Sequence, residues 1–179
     1  PLIRAILLCQ NGVTADFSAC VSKYRKILWV DRNRCCGGTD ESQPDILLLE
    51  AGPGRYPRNF QADILLIAKD VSELRGNTDG MMRKNGIAVF DPARFEDISF
   101  LRTEQLTAVT CGINEKNTIS VSSIHDDSII LTLFRELKGV FGQKLEMQEY
   151  LYENIPPVQD VYTAMLACAL ILLTTPEET

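Results

Sequence analysis

The chain has 179 residues, a formal net charge of −6 and a pI near 4.9, with 45% hydrophobic and 23% charged residues. That length suits one ordinary domain, and the apolar fraction sustains a core, which excludes a disordered chain. The acidic balance argues against electrostatic capture of nucleic acid or an anionic membrane surface, and a single histidine, His125, removes HExxH and multi-histidine zinc sites.

Ile3 to Cys9 is an apolar run interrupted only by Arg4 and closed by the turn signal Gln10-Asn11-Gly12. That is the pattern of a strand buried on both faces. Thr14 or Asp16 is placed to cap a helix over roughly Phe17 to Tyr24. Lys26 to Asp31 reads as a second strand, Arg32 to Pro44 as a loop, and Asp45 to Glu50 as a third buried strand. Asp63 to Ala68 is a fourth strand. Val71 to Lys84 has only weak helical character, because Gly76 and Gly80 interrupt it. Gly86 to Pro92 is the fifth strand, a short helix covers Phe95 to Arg102, and Leu106 to Cys111 is the sixth strand. Continuous apolar strands separated by helical segments indicate a mostly parallel, Rossmann-like or P-loop-like α/β sheet flanked by helices.

The texture changes after Gly112. Thr118 to Ile124, Ser128 to Phe134 and, less cleanly, Leu145 to Tyr152 alternate polar with apolar residues. Turns fall at His125-Asp126-Asp127 and Lys138 to Gly142. This is a small antiparallel β appendage with one wet face. Pro156-Pro157 ends it, and an apolar helix from about Val158 to Leu173 follows. The expected organisation is one domain over 1–179, with an α/β core at 1–111, the appendage at 112–155 and the closing helix at 158–173.

None of Cys9, Cys20, Cys35, Cys36, Cys111 and Cys168 forms a C-x-x-C. Cys9, Cys111 and Cys168 lie in or beside apolar runs, where a free thiol behaves as a small hydrophobe. The Cys35-Cys36 pair lacks neighbouring ligands, so no metal site is expected and a reducing cytoplasm is the natural compartment. The longest apolar stretch, Val161 to Leu173, is shorter than a membrane span requires. No secretory leader pattern opens the chain, and the missing initiator Met suggests a trimmed or fragmentary N-terminus.

Ligand sites in parallel α/β sheets lie at the carboxyl ends of the strands. Three polar features occupy such ends here. The first, Gln10-Asn11-Gly12-Val13-Thr14, stands where a P-loop would. A Walker A loop needs G-x-x-x-x-G-K-[ST], with glycines curling amides round phosphate and a lysine neutralising it. Here Gly12 stands alone, no lysine follows, and Asp16 repels phosphate, so an ordinary strand-to-helix turn is the preferred reading. The second feature joins Glu50 to Gly52-Pro53-Gly54-Arg55-Tyr56-Pro57-Arg58. It reads either as an anion or nucleotide cleft, with Glu50 as a Mg²⁺ ligand, or as a rigid connection with solvated arginines. The third is Asp91-Pro92-Ala93-Arg94. His125 with Ser122, Ser123, Asp126 and Asp127 offers triad ingredients, but contiguous residues fit a polar hairpin turn better. Glu146 to Glu149 reads as a solvated face.

The order of these features resembles the central domain of the Mur ligase and folylpolyglutamate synthase superfamily. Ile46 to Gly54 resembles its strand ending in a magnesium-binding glutamate, and Ala62 to Ile67 resembles its next strand. Gly86 to Pro92 looks like the strand ending in a nucleotide-proximal Asp-Pro. Leu106 to Ile124 is similar to its following strand and β segment. Gln159 to Ala169 resembles the His-Asn-x-x-Asn helix that packs on the ATP site. The resemblance implies that fold, and only Glu50 and Asp91-Pro92 carry over as site residues. The departures bear on function. The Walker A pattern is absent, Lys69-Asp70-Val71 stands where an Asp-His pair would, Gln159-Asp160 replaces His-Asn, and Thr163 replaces the second Asn. Ligation through an acyl phosphate needs ATP clamped by lysine, Mg²⁺ and backbone donors.

The expectation is therefore a non-catalytic, cytoplasmic binding or assembly module. Neither catalytic residues nor a resident cofactor are expected, Mg-ATP included, and the partner is an unidentified protein or small anionic ligand. The alternative is a nucleotide- or anion-binding enzyme related to ATP-dependent amide ligases. It would use Glu50, Gly52, Gly54, Arg55, Arg58 and Asp91 as its cleft. A third reading is a subunit completed by a partner chain.

Overall fold

Six apolar runs of the sequence lie side by side as a parallel sheet. The structure is a computed structural model that describes residues 2–9, 13–30, 35–37, 43–52, 58–68, 80–95, 99–103, 105–157 and 160–176. The strands are β1 (Ile3–Leu8), β2 (Ile27–Val30), β3 (Cys35–Gly37), β4 (Ile46–Ala51), β5 (Ala62–Ile67), β6 (Met82–Phe90) and β7 (Thr107–Thr110). Their order is β3-β2-β4-β1-β5-β6-β7, with every neighbouring pair parallel except β2 and β3. Ile6, Leu7, Leu48, Ile64, Leu65 and Leu66 are fully buried, as a sheet covered on both faces requires.

Three helices accompany the sheet among the described residues: α1 (Val13–Val21), α2 (Ser99–Thr103) and α3 (Val161–Thr174). α1 buries Phe17, Cys20 and Val21, an i, i+3, i+4 stripe, and packs on α3. α3 has no polar stripe, and Tyr162 to Thr174 are all buried. It lies over β5 and β6, with α1 beside it. No helix among the described residues is long and apolar enough to cross a membrane, which says nothing of membrane-crossing strands.

The appendage contains β8 (Ile119–Ile124), β9 (Ile129–Leu133) and β12 (Glu149–Tyr152), an antiparallel sheet in the order β12-β9-β8. Ile129, Leu131 and Leu133 turn inward from β9, leaving Ile130 and Thr132 half-buried on the wetter face. A second hairpin pairs β10 (Leu137–Lys138) with β11 (Lys144–Leu145). A parallel bridge from Cys111 to Ile119 joins the appendage to the large sheet.

Several boundaries differ from the sequence reading. α1 begins at Val13, so Asp16 lies in its first turn, where it complements the helix dipole, and neither it nor Thr14 is the cap. The expected loop from Arg32 to Pro44 contains β3. β6 begins at Met82 inside the stretch read as weakly helical: Ala62 pairs with Met82 and Ile64 with Ile87, so β6 bulges through Asn85, whose φ is 60°. The Leu145 to Tyr152 run divides between β11 and β12. α3 begins at Val161, after Asp160.

Candidate functional site

β1 sits inside the sheet, with β4 on one side and β5 on the other. The chain fills one flank before crossing to the other, so the carboxyl end of β1 is the topological switch point. Gln10, Asn11, Gly12, Gly54, Arg55, Lys69, Asp70 and Val71 lie outside the described residues. Glu50 is half-buried near the end of β4, paired in register with Leu7, and Gly52 is buried just beyond. Arg58 is exposed in a turn. Asp91 follows β6. Between β4 and β6 stand β1 and β5, so Glu50 and Asp91 are about 14 Å apart at ordinary strand spacing. The structure does not bring these two carboxylates to one small ion.

What it does assemble is a cluster round Asp91. Pro92 has no N–H to continue the strand, and the backbone turns back so that Arg94 N donates to Asp91 O at 3.1 Å. Asp91 Oδ1 accepts from Ala93 N at 2.9 Å, and Asp91 Oδ2 lies 3.5 Å from Arg94 Nε. Arg94 Nη2 is 3.9 Å from Asp160 Oδ1, and its guanidinium lies 4.3 Å from the Tyr162 ring centroid. Asp160 is the N-cap of α3. Its carboxylate accepts from Tyr162 N and Thr163 N, both at 3.3 Å, and from Thr163 Oγ1 at 3.2 Å.

Tyr162 ties these pieces to the sheet. Its hydroxyl donates to Ile67 O at 2.9 Å and accepts from Asp91 N at 2.9 Å, bridging the ends of β5 and β6. Burial, and then Cys111, pushes its phenol above the usual tyrosine range, so it stays protonated as this donor. Gly112 closes the cluster from β7. A Cβ there would stand 2.7 Å from Asn117 Nδ2 and 3.1 Å from Asp91 Oδ1. The sequence reading did not single out Tyr162. The available signal was a phenol in the first turn of an otherwise aliphatic, buried helix, since a buried tyrosine hydroxyl needs a partner.

The other candidates stand apart. His125 is exposed in the β8–β9 turn, where its Nε2 meets Ser123 Oγ at 2.9 Å, while the Ser122 hydroxyl bonds Thr132. Serine, imidazole and carboxylate do not form a relay there. Cys9 is buried, and Cys20, Cys111 and Cys168 are free thiols that are buried too; burial pushes the Cys20 thiol up to about 11 and the Cys111 thiol up to about 12. The side chains of Cys35 and Cys36 lie outside the described set. Among the described residues, no cluster of three or more His, Cys, Asp or Glu side chains fits a metal ion. A cavity of about 580 Å³ runs along β7, lined by Arg83, Ala108, Arg135 and Lys138 among others, and includes none of Glu50, Gly52, Arg58 or Asp91.

Fold and site together define a doubly wound α/β protein with its polar cluster at the carboxyl edge of the sheet. No family model matches the sequence, and no curated protein matches it. Solved structures do match. FolC from E. coli, determined with DHPP and ADP, superposes with a TM-score of 0.60 at 13% identity, covering 100% of this chain and 54% of that one. A folylpolyglutamate synthase/dihydrofolate synthase from Yersinia pestis, determined with AMPPNP and a Mn ion, gives 0.57 at 13% identity, covering 100% and 55%. MurF from Acinetobacter baumannii gives 0.54 at 12% identity, covering 96% and 42%. The chain has a Mur ligase and folylpolyglutamate synthase-like fold, and spans about half the length of these structures.

Proposed function

We propose that this chain is a non-catalytic, Mur-ligase-like unit, a cytoplasmic pseudoenzyme that binds a protein partner or a small anionic ligand. Residues 1–179 act in it as a single unit. The observation that carries the proposal is the engagement of Arg94 by Asp91 and Asp160. Two carboxylates around one guanidinium leave the cluster net negative, which repels phosphate. The N-terminus of α3, elsewhere a ready anion site, has Tyr162 N and Thr163 N engaged by Asp160.

Among the described residues, the Asp91 cluster does not fit Mg-ATP. That cluster holds two carboxylates against one arginine, and the sequence carries no Walker A lysine. The test is release of ADP from Mg-ATP, measured across a panel of carboxylate substrates and amino acids. The proposal predicts no substrate-dependent release. Release that depends on both substrates and disappears in Glu50→Gln would overturn it.

A further inference from the structure

β7 is the last strand of the large sheet, with β6 on one side and, among the described residues, no strand on the other. Cys111 N donates to Phe90 O at 2.8 Å and Gly112 N to Ile119 O at 3.1 Å, so successive residues face β6 and the outside in turn. The same alternation sends the Val109 N–H and C=O towards β6 and those of Ala108 outward. Thr107 and Ala108 are exposed. Beyond them Thr118 closes the edge, its N–H donating to Thr110 Oγ1 at 2.8 Å and its hydroxyl 3.3 Å from the same oxygen. An open edge offers backbone donors and acceptors to an incoming strand, and β7 carries neither a lysine nor a proline to discourage one.

The cavity of about 580 Å³ along this edge lies between β7 and the β10–β11 hairpin. Ile87, Val109 and Leu137 make part of its lining apolar, and its charged members are Arg83, Arg135, Glu136 and Lys138. Two of these are neutralised locally. Arg83 Nη1 lies 2.8 Å from Asp63 Oδ1, and Glu136 Oε1 lies 2.7 Å from Lys144 Nζ. Arg135 Nη1 donates to Lys116 O at 2.8 Å, and among the described residues no carboxylate lies within ion-pair distance of Arg135 or Lys138. Both side chains are exposed, so a ligand in the groove reaches them. The α3 carbonyls nearest the hairpin weaken this charge little, because they are already engaged. Leu173 O accepts from Val140 N at 2.9 Å and from Gln143 Nε2 at 3.2 Å, and Thr175 O accepts from Gln143 Nε2 at 2.7 Å. The described residues of this groove therefore carry net positive charge in a chain whose total is −6.

We infer that this edge binds an extended, acidic segment of a partner protein, which adds a strand beside β7 and sets carboxylates against Arg135 and Lys138. The outward Ala108 N–H and C=O supply the pairing, and the two cations supply the preference for acidic side chains. A nucleic acid offers the charge without a backbone that pairs with a strand. The surface lies at the starts of β6 and β7, the end of the sheet opposite Asp91. The inference deepens the binding role proposed above and rests on that reading, choosing the protein partner over the small anionic ligand.

The experiment titrates the whole chain at low salt with a capped octapeptide alternating glutamate with threonine, followed by amide chemical shifts. The peptide should saturate with a Kd on the order of 0.1 mM, with the Ala108 amide among those that shift. A glutamine-threonine analogue should bind at least about tenfold more weakly. So should the acidic peptide N-methylated at every peptide bond, which keeps its charge and loses its pairing groups. Lys138→Glu and Arg135→Gln, both at exposed positions, should each weaken the acidic peptide about tenfold, and the second keeps the test valid should the first not fold. No saturation up to about 2 mM, equal binding of either analogue, unchanged affinity in the charge variants, or equally tight binding of an eight-nucleotide oligothymidylate would each overturn the inference. Peptide binding does not read ADP release, so this inference and the non-catalytic reading fail separately.

Discussion

Replacing Tyr162 with phenylalanine removes one oxygen and leaves the ring against Arg94. Two backbone groups lose their partner, the Ile67 carbonyl and the Asp91 N–H. Ile67 is wholly buried, so water does not replace the phenol there, and an orphaned buried acceptor costs about 1–3 kcal/mol. Asp91 is only partly buried, so its N–H belongs at the lower end of that range, and the sum is about 2–3 kcal/mol. That is a large fraction of the roughly 5–15 kcal/mol that holds a domain folded. Urea denaturation followed by circular dichroism should show a lower midpoint at an unchanged m-value. Tyr150→Phe is the control, because its hydroxyl donates to Glu146 O at a more exposed site and its loss should cost about 0.5 kcal/mol. If Tyr162→Phe costs no more than Tyr150→Phe, the bridging role is refuted.

Gly112→Ala places a methyl 2.7 Å from Asn117 Nδ2 and should destabilise by about 1–3 kcal/mol, with part of the loss recovered in Gly112→Ala/Asn117→Ala; both are read in urea melts. Asp160→Ala removes the cap of α3 and should cost about 1 kcal/mol, whereas Asp160→Ser retains most of it. Folded Cys20 and Cys111 stay protonated to about pH 11 and about pH 12, while the same thiols ionise near 9.0 when unfolded. The folded state therefore binds more protons above pH 9. Stability contributed by these thiols is complete below that pH and falls as pH rises, by about 1.4 kcal/mol per pH unit for each thiol until its folded pKa is passed. Thermal melts at pH 8, 9 and 10 check the slope, and a flat profile would contradict it. At pH 8 neither thiol should react with iodoacetamide until urea unfolds the chain.

The parallel sheet was legible because its inner strands lie in apolar runs, some of them ended by a carboxylate, glycine or proline, as at Ile46 to Glu50 and Gly86 to Pro92. Short strands were not. β3, β10 and β11 contain two or three residues each, too few for any periodicity, and their pairing depends on neighbours distant in sequence. The start of β6 was hidden by Asn85 and Gly86, which break the pattern at the bulge. Asp91 was visible as a carboxylate at a strand end. Its partners were not, because Tyr162 lies 71 residues from Asp91 and 95 from Ile67, and nothing local in the apolar run after Asp160 marks that phenol as a bridge. Arg135 and Lys138 likewise read as solvated charges until β7 is brought beside them.

On the proposal made above, this ligase-like fold does not hold Mg-ATP. Isothermal titration of the chain with Mg-ATP tests it most directly. No saturable heat is expected at nucleotide concentrations on the order of 1 mM. A one-site isotherm in that range, lost in Glu50→Gln or Asp91→Asn, would contradict it.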